Sequence, residues 1–176
     1  MNRFWTLCLI MAALILLDQF TKGAIQSSLQ WGQSIPVIDG FFSIAYVKNT
    51  GAAFGFGAGG PEWFRIIFFL ALPVIFCGWI FYMLVKTISG PYYLSLAYGL
   101  ILAGAIGNLI DRFYLGYVVD FLLFYWKDER NHFPAFNVAD SCITIAAFLL
   151  IYDFFVQAKL SKEKGQGNVS DPTANK

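Results

Sequence analysis

The chain has 176 residues, 58% of them hydrophobic and 13% charged, with 19 Phe, 9 Tyr and 5 Trp and a formal net charge of +1. A mean hydropathy of +0.61 excludes an ordinary soluble domain, and near-neutral charge without a basic stripe excludes a nucleic-acid binder. At ~20 residues per span the length holds about four membrane crossings and leaves no room for a large soluble domain.

The first apolar segment runs from Phe4 to Lys22 behind Arg3. No small-x-small cleavage site follows it, so it reads as a retained signal anchor. Asp18 and Lys22 lie four apart in its last turn and share one helix face. The connection 23–63 is too long for a turn. Within it Phe41–Val47 is β-prone and bounded by Asp39-Gly40 and Asn49-Thr50-Gly51, which predicts a small extracytoplasmic β-sheet lying on the membrane. Lys48 to Phe54 reads as a turn after that strand, and the glycine-rich run 51–60 as a mobile flap or a loop. The second span is Ile66–Val85, with Pro73 tolerated inside a membrane helix. The third is Tyr92–Ile110, and the fourth Val138–Phe155. A charged connection within 113–136 holds the lone His132, which reads as a solvated loop residue.

The expectation is therefore a mainly α membrane protein with four transmembrane helices and a small surface sheet. One domain covers 1–160, and the polar tail 161–176 is expected to be disordered. Arg3, Lys86, Lys159, Lys162 and Lys164 fall on one side of such a bundle, which favours cytoplasmic termini. Cys8, Cys77 and Cys142 lie in separate apolar runs and read as buried hydrophobes, not a disulfide framework.

Asp120 and Asp140 sit at the mouths of apolar segments, where an ionised carboxylate costs at least ~2.5 kcal/mol. Such residues mostly bind something or do chemistry. Asp140 has a plainer reading as a charge in the first turn of a helix capped by Asn137. On the third span, small residues from Ala103 to Gly107 let a neighbouring helix approach closely. Asn108 and Arg112 share a face there with Asp111 alongside. This is either a self-satisfied polar cluster or a site in which Arg112 lowers the pKa of nearby carboxylates. Two Asp and a distant His are too few for zinc, and no Ser–His pair is plausible. A carboxylate pair sharing one proton supports aspartic proteolysis, which needs no cofactor and no metal.

Five blocks, in order, carry a resemblance: Asp18-Gln19-Phe20-Thr21-Lys22, Asn49-Thr50-Gly51-Ala52-Ala53-Phe54, Gly107-Asn108-Leu109-Ile110-Asp111-Arg112, Val118-Val119-Asp120-Phe121 and Phe136-Asn137-Val138-Ala139-Asp140. Together they resemble the lipoprotein signal peptidases (signal peptidase II), aspartyl proteases of the bacterial inner membrane. The resemblance implies a diacylglyceryl-modified prolipoprotein as substrate, cut on the N-terminal side of its lipidated cysteine. It implies Asp120 and Asp140 as the catalytic pair; our own expectation is that one is ionised and takes a proton from water while the other is protonated and donates to the leaving amine. Asn49, Gly51, Asn108, Arg112 and Asn137 would bind the substrate, while Asp18, Lys22 and Asp111 would shape the site. Membrane lipid and globomycin-type inhibitors are the other implied partners, with a monomer as the default and the site near the outer face. The competing readings are a small proton-coupled transporter and a structural subunit. The carboxylates cluster near one face with none mid-span, which disfavours a proton path.

Overall fold

Each apolar segment forms a helix, and each helix outruns the apolar stretch that announces it. The computed structural model describes residues 2–51, 59 and 61–167. Its helices long and apolar enough to span a membrane are α1 (Arg3–Ser28), α2 (Glu62–Thr87), α3 (Tyr92–Leu115) and α4 (Val138–Gly167). Polar residues extend a helix readily once its apolar part is anchored, because every added residue closes another backbone hydrogen bond. The tail expected to be disordered from Ser161 is accordingly helical as far as Gly167; residues 168–176 lie outside the described residues.

The helix α3 is central. Half of its apolar window is buried, against 11%, 11% and 17% for α1, α2 and α4. Glycine makes this possible: a Cβ on Gly104 would meet the Ala139 carbonyl and Ile143 on α4. The two helices therefore pack backbone to backbone, as the small-residue stretch predicted. Leu7, Ile80, Leu84 and Leu102 join α1, α2 and α3 in one core cluster, and Ala97, Leu100, Cys142 and Ala146 join α3 to α4 in another. In α2 a π turn, Ile67–Ala71, ends two residues before Pro73. Proline has no N–H to give to the carbonyl one turn back, so the local ladder can widen there at little cost.

The sheet caps the end of the bundle where α1 ends and α4 begins. Its strands β1 (Ser34–Ile38), β2 (Phe42–Asn49) and β3 (Val118–Trp126) are antiparallel in that order, and β4 (Asp128–His132) folds back on β3. A turn closed by the Phe41 N–H on the Ile38 carbonyl joins β1 to β2, with Gly40 at φ +75°. The region 113–136, expected to be a loop, thus supplies the third strand of the sheet and part of α3. In β2–β3 the register sets Asn49 opposite Val118 and Val47 opposite Asp120. Asn49 and Asp120 are then diagonal neighbours on one sheet face.

Candidate active site

Asp120 lies within β3 and is 2% exposed, while Asp140 lies in the first turn of α4 and is half-buried. Both line one cleft of about 640 Å³, whose other walls include Asn49, Phe69, Asn108 and Arg112. Strand and helix converge because Leu122 bridges to Phe136, with the Phe121 and Leu122 N–H groups both donating to the Phe136 carbonyl.

Asparagine carboxamides connect the two aspartates. Asn49 Nδ2 donates to Asp120 Oδ2 at 3.0 Å, and Asn137 Nδ2 to Asp120 Oδ1 at 2.7 Å. Asn108 Nδ2 donates to Asp140 Oδ1 at 2.8 Å. Asn137 is also the N-cap of α4, as its position predicted. The Asp140 N–H donates to Asn137 Oδ1 at 2.9 Å, and the Asn137 N–H returns a bond to Asp140 Oδ2 at 3.2 Å. This reciprocal capping box joins Asp140, which lines the cleft, to Asn137, which also holds Asp120, so the helix start and the site geometry are one structure.

Beneath the pair lies a buried ionic clamp. Lys22 Nζ has three hydrogens and three acceptors: Asp18 Oδ2 at 2.8 Å, Asp111 Oδ2 at 3.0 Å and Asn108 Oδ1 at 3.0 Å. An ammonium can only donate, so Asn108 must present its oxygen to Lys22 and its NH₂ to Asp140. Each clamp carboxylate also holds the main chain one residue ahead of a cleft aspartate. Asp18 Oδ1 accepts the Ala139 N–H at 2.9 Å, and Asp111 Oδ2 accepts the Val119 N–H at 3.0 Å. Gln19, in the first of the five sequence blocks, joins the clamp although the sequence assigns it no role. Its Nε2 lies 2.9 Å from Asp111 Oδ1, 3.1 Å from the Gly107 carbonyl and 3.2 Å from Asp18 Oδ2. A carboxamide inside an apolar helix that must find acceptors was the available signal.

Arg112 makes no ion pair within 4 Å among the described residues. Its guanidinium donates to the Gly51 carbonyl at 2.9 Å and packs 5.9 Å from the Phe69 ring centre. Gly51 N–H in turn donates to Asn49 Oδ1 at 3.0 Å, so hydrogen bonds link Arg112 to Asp120 through Gly51 and Asn49, while its charge also acts on Asp140 and Asp120 across the cleft. Asp111 belongs to the Lys22 clamp instead. Among the described residues the only ion pairs within 4 Å are the two made by Lys22. The Asp120 carboxyl is accordingly raised, not lowered, from its usual 3.8 to about 7. Burial is the main cause and the Asp140 charge adds to it, against opposing contributions from Asn49, Lys22 and Asn137.

Of the ten residues singled out from the sequence, Asn49, Asn108, Arg112, Asp120 and Asp140 line this cleft; Gly51, Asn137 and Lys22 bond to them, and Asp18 and Asp111 pair with Lys22. Most of the run 51–60, read as a flap or a loop, lies outside the described residues. His132 is exposed on β4, bonded to the Phe133 carbonyl. Among the described residues no group of three or more His, Cys, Asp and Glu side chains is placed to hold a metal ion.

Fold and site together define a multi-pass membrane protein with a carboxylate pair set where its helices meet a small sheet. The profile of the family described as Signal peptidase (SPase) II matches residues 10–156. A lipoprotein signal peptidase of Syntrophus aciditrophicus is 46% identical over 90% of this chain and 98% of its own length. One from Neisseria meningitidis is 42% identical over 93% and 94%. A solved bacterial membrane enzyme, determined by the in meso method at 2.3 Å resolution, is 34% identical, with a TM-score of 0.72 over 87% of this chain and 89% of that one. The chain belongs to the signal peptidase II family and is a peptidase of a bacterial membrane.

Proposed function

We propose that the chain is an intramembrane aspartyl endopeptidase that removes the signal peptide from diacylglyceryl-modified prolipoproteins, cutting just before the lipidated cysteine. The observation that carries this reading is the pair Asp120 and Asp140, facing one cleft and oriented by three asparagine amides. Its family supports the substrate class, because its relatives are lipoprotein signal peptidases. The rim of the cleft is apolar, with Phe68, Phe76 and Ile145 among its walls, which suits a signal helix arriving sideways from lipid.

In this reading Asp120 and Asp140 are the catalytic pair, and Asn49, Gly51, Asn108, Arg112 and Asn137 hold the substrate peptide. Asp18, Lys22 and Asp111 keep the pair in place from below. The sheet lies on the outer surface of the inner membrane with both termini cytoplasmic, an orientation supported by the Lys and Arg bias of the flanks. Diacylglycerol anchors the cysteine at the bilayer surface and so delivers the scissile bond at the depth of the aspartates. Water supplies the nucleophile, and the chain acts as a monomer that globomycin-type peptides inhibit.

The test is cleavage of a diacylglyceryl-modified prolipoprotein by the purified protein, with Asp120→Asn and Asp140→Asn beside it. Both folded variants are expected to lose cleavage by several orders of magnitude, and unlipidated substrate to be cut poorly. Wild-type rates from either variant, or equal cleavage of unlipidated substrate, would overturn the proposal.

A further inference from the structure

Resting on the peptidase reading, we infer a division of labour within the pair: Asp140 carries the resting negative charge and acts as the base toward water, while Asp120 holds the proton delivered to the leaving amine.

The two carboxyls occupy unlike surroundings. Asp140 stands in the first turn of α4, where the dipole of a long helix favours an anion, and a main-chain N–H, that of Asn137, donates to its Oδ2. It is half-buried and, like Asp120, lines the cleft. Asp120 lies inside β3, 2% exposed, where a strand offers no comparable dipole. Its oxygens accept from two side-chain carboxamides, those of Asn49 and Asn137. Two carboxylates sharing a site do not both ionise readily, so the charge settles where helix and solvent favour it. The raised Asp120 carboxyl agrees with this order.

The charged groups facing the pair leave that asymmetry in place. Lys22 on α1 bonds Asp18, Asp111 and Asn108 and touches neither cleft aspartate. Asp18 shares the helix start with Asp140 and opposes its charge, but it is itself paired with Lys22. Arg112 on α3 is engaged by the Gly51 carbonyl. On β2, Lys48 faces the rings of Trp31, Tyr46 and Tyr117 instead of the cleft.

The chemistry then balances over one turnover. Water forms a bond to the scissile carbonyl carbon and gives one proton to Asp140. The carbon–nitrogen bond breaks as the Asp120 proton passes to nitrogen, releasing the amine and leaving a carboxylic acid. The proton on Asp140 crosses to Asp120, and the resting pair is restored.

The order of ionisation is readable without turnover. Protein carrying carboxyl-¹³C aspartate is titrated in detergent micelles, with the two resonances assigned from the spectra of Asp120→Asn and Asp140→Asn. A coupled pair titrates in two macroscopic steps. In the lower step the Asp140 carbon is expected to take the larger share of the shift, and in the upper step, near pH 7, the Asp120 carbon. The reverse order, or equal shares in both steps, overturns the assignment. A failed peptidase reading shows separately, as absent cleavage of the lipidated substrate by wild-type protein whose resonances titrate normally.

Discussion

Replacing Lys22 by Met removes an ammonium that is 2% exposed between Asp18 at 1% and Asp111 at 3%. Three hydrogen bonds go at once, to Asp18, Asp111 and Asn108. The lost bonds are only part of the effect, because two carboxylates are left in the interior without their cation. Breaking one partner out of a buried pair costs about 3–5 kcal/mol, and at about 1.4 kcal/mol per tenfold the ratio of folded to unfolded protein falls by roughly two to three and a half orders of magnitude. Typical domain stabilities are about 5–15 kcal/mol, so the variant stays measurable in micelles with a clearly lower unfolding midpoint by circular dichroism. Cleavage should fall further than stability explains, since the clamp holds Val119 and Ala139, the residues just ahead of the two cleft aspartates. Adding Asp111→Asn to Lys22→Met removes one stranded charge, so the double variant should be destabilised by less than the sum, with a coupling of about 0.5–3 kcal/mol. An unchanged midpoint in Lys22→Met, or strictly additive effects in the double variant, would refute the clamp.

Gly107→Ala would place its Cβ 2.7 Å from Asp18 Oδ2 and 3.2 Å from the Ala139 Cβ; overpacking of this kind costs about 1–3 kcal/mol, to be read as a lower thermal midpoint, whereas Gly78→Ala meets nothing within 4 Å and serves as the control. Asn137→Ala removes the α4 cap, worth about 1 kcal/mol, together with a donor to Asp120, and its kcat should fall more than its stability implies. The Asp120 carboxyl binds its proton more tightly folded than unfolded, so its contribution to wild-type stability should be full below about 3.8 and decline as pH rises from there through about 7. In Asp120→Asn that decline should flatten in the same micelle unfolding series. Arg112→Ala frees the Gly51 carbonyl and is expected to raise KM in the cleavage assay, and an unchanged KM would place that contact outside substrate binding.

The helical architecture was legible because membrane helices advertise themselves: an uncharged run as long as Ile66–Val85 has few alternatives in a chain this apolar. Helix ends were less so. Capping and continuation depend on polar residues, such as those carrying α1 on to Ser28, that hydropathy does not register. The strand β3 was hidden for a related reason. Val118–Trp126 is almost wholly buried, so it lacks the alternation that marks a half-exposed strand, and its apolar run reads as the flank of a span. The cleft residues were individually conspicuous because each is a polar group in an expensive place.

By itself, then, the sequence determined which residues had to find partners: Asp18, Lys22, Asn108, Asp111, Arg112, Asp120, Asn137 and Asp140 are costly near hydrocarbon wherever the chain folds. It also determined that four apolar helices would carry them. Only the tertiary structure decided the pairings. Arg112 went to Gly51 and Lys22 to Asp18 and Asp111, although spacing placed Asp111 beside Arg112. The reason is directional. Hydrogen bonds and ion pairs depend on distances of a few tenths of an ångström between separate elements, and those distances are set by how closely α3 approaches α4 and by the register of β2 on β3. Neither quantity is written in the local sequence of any one of them.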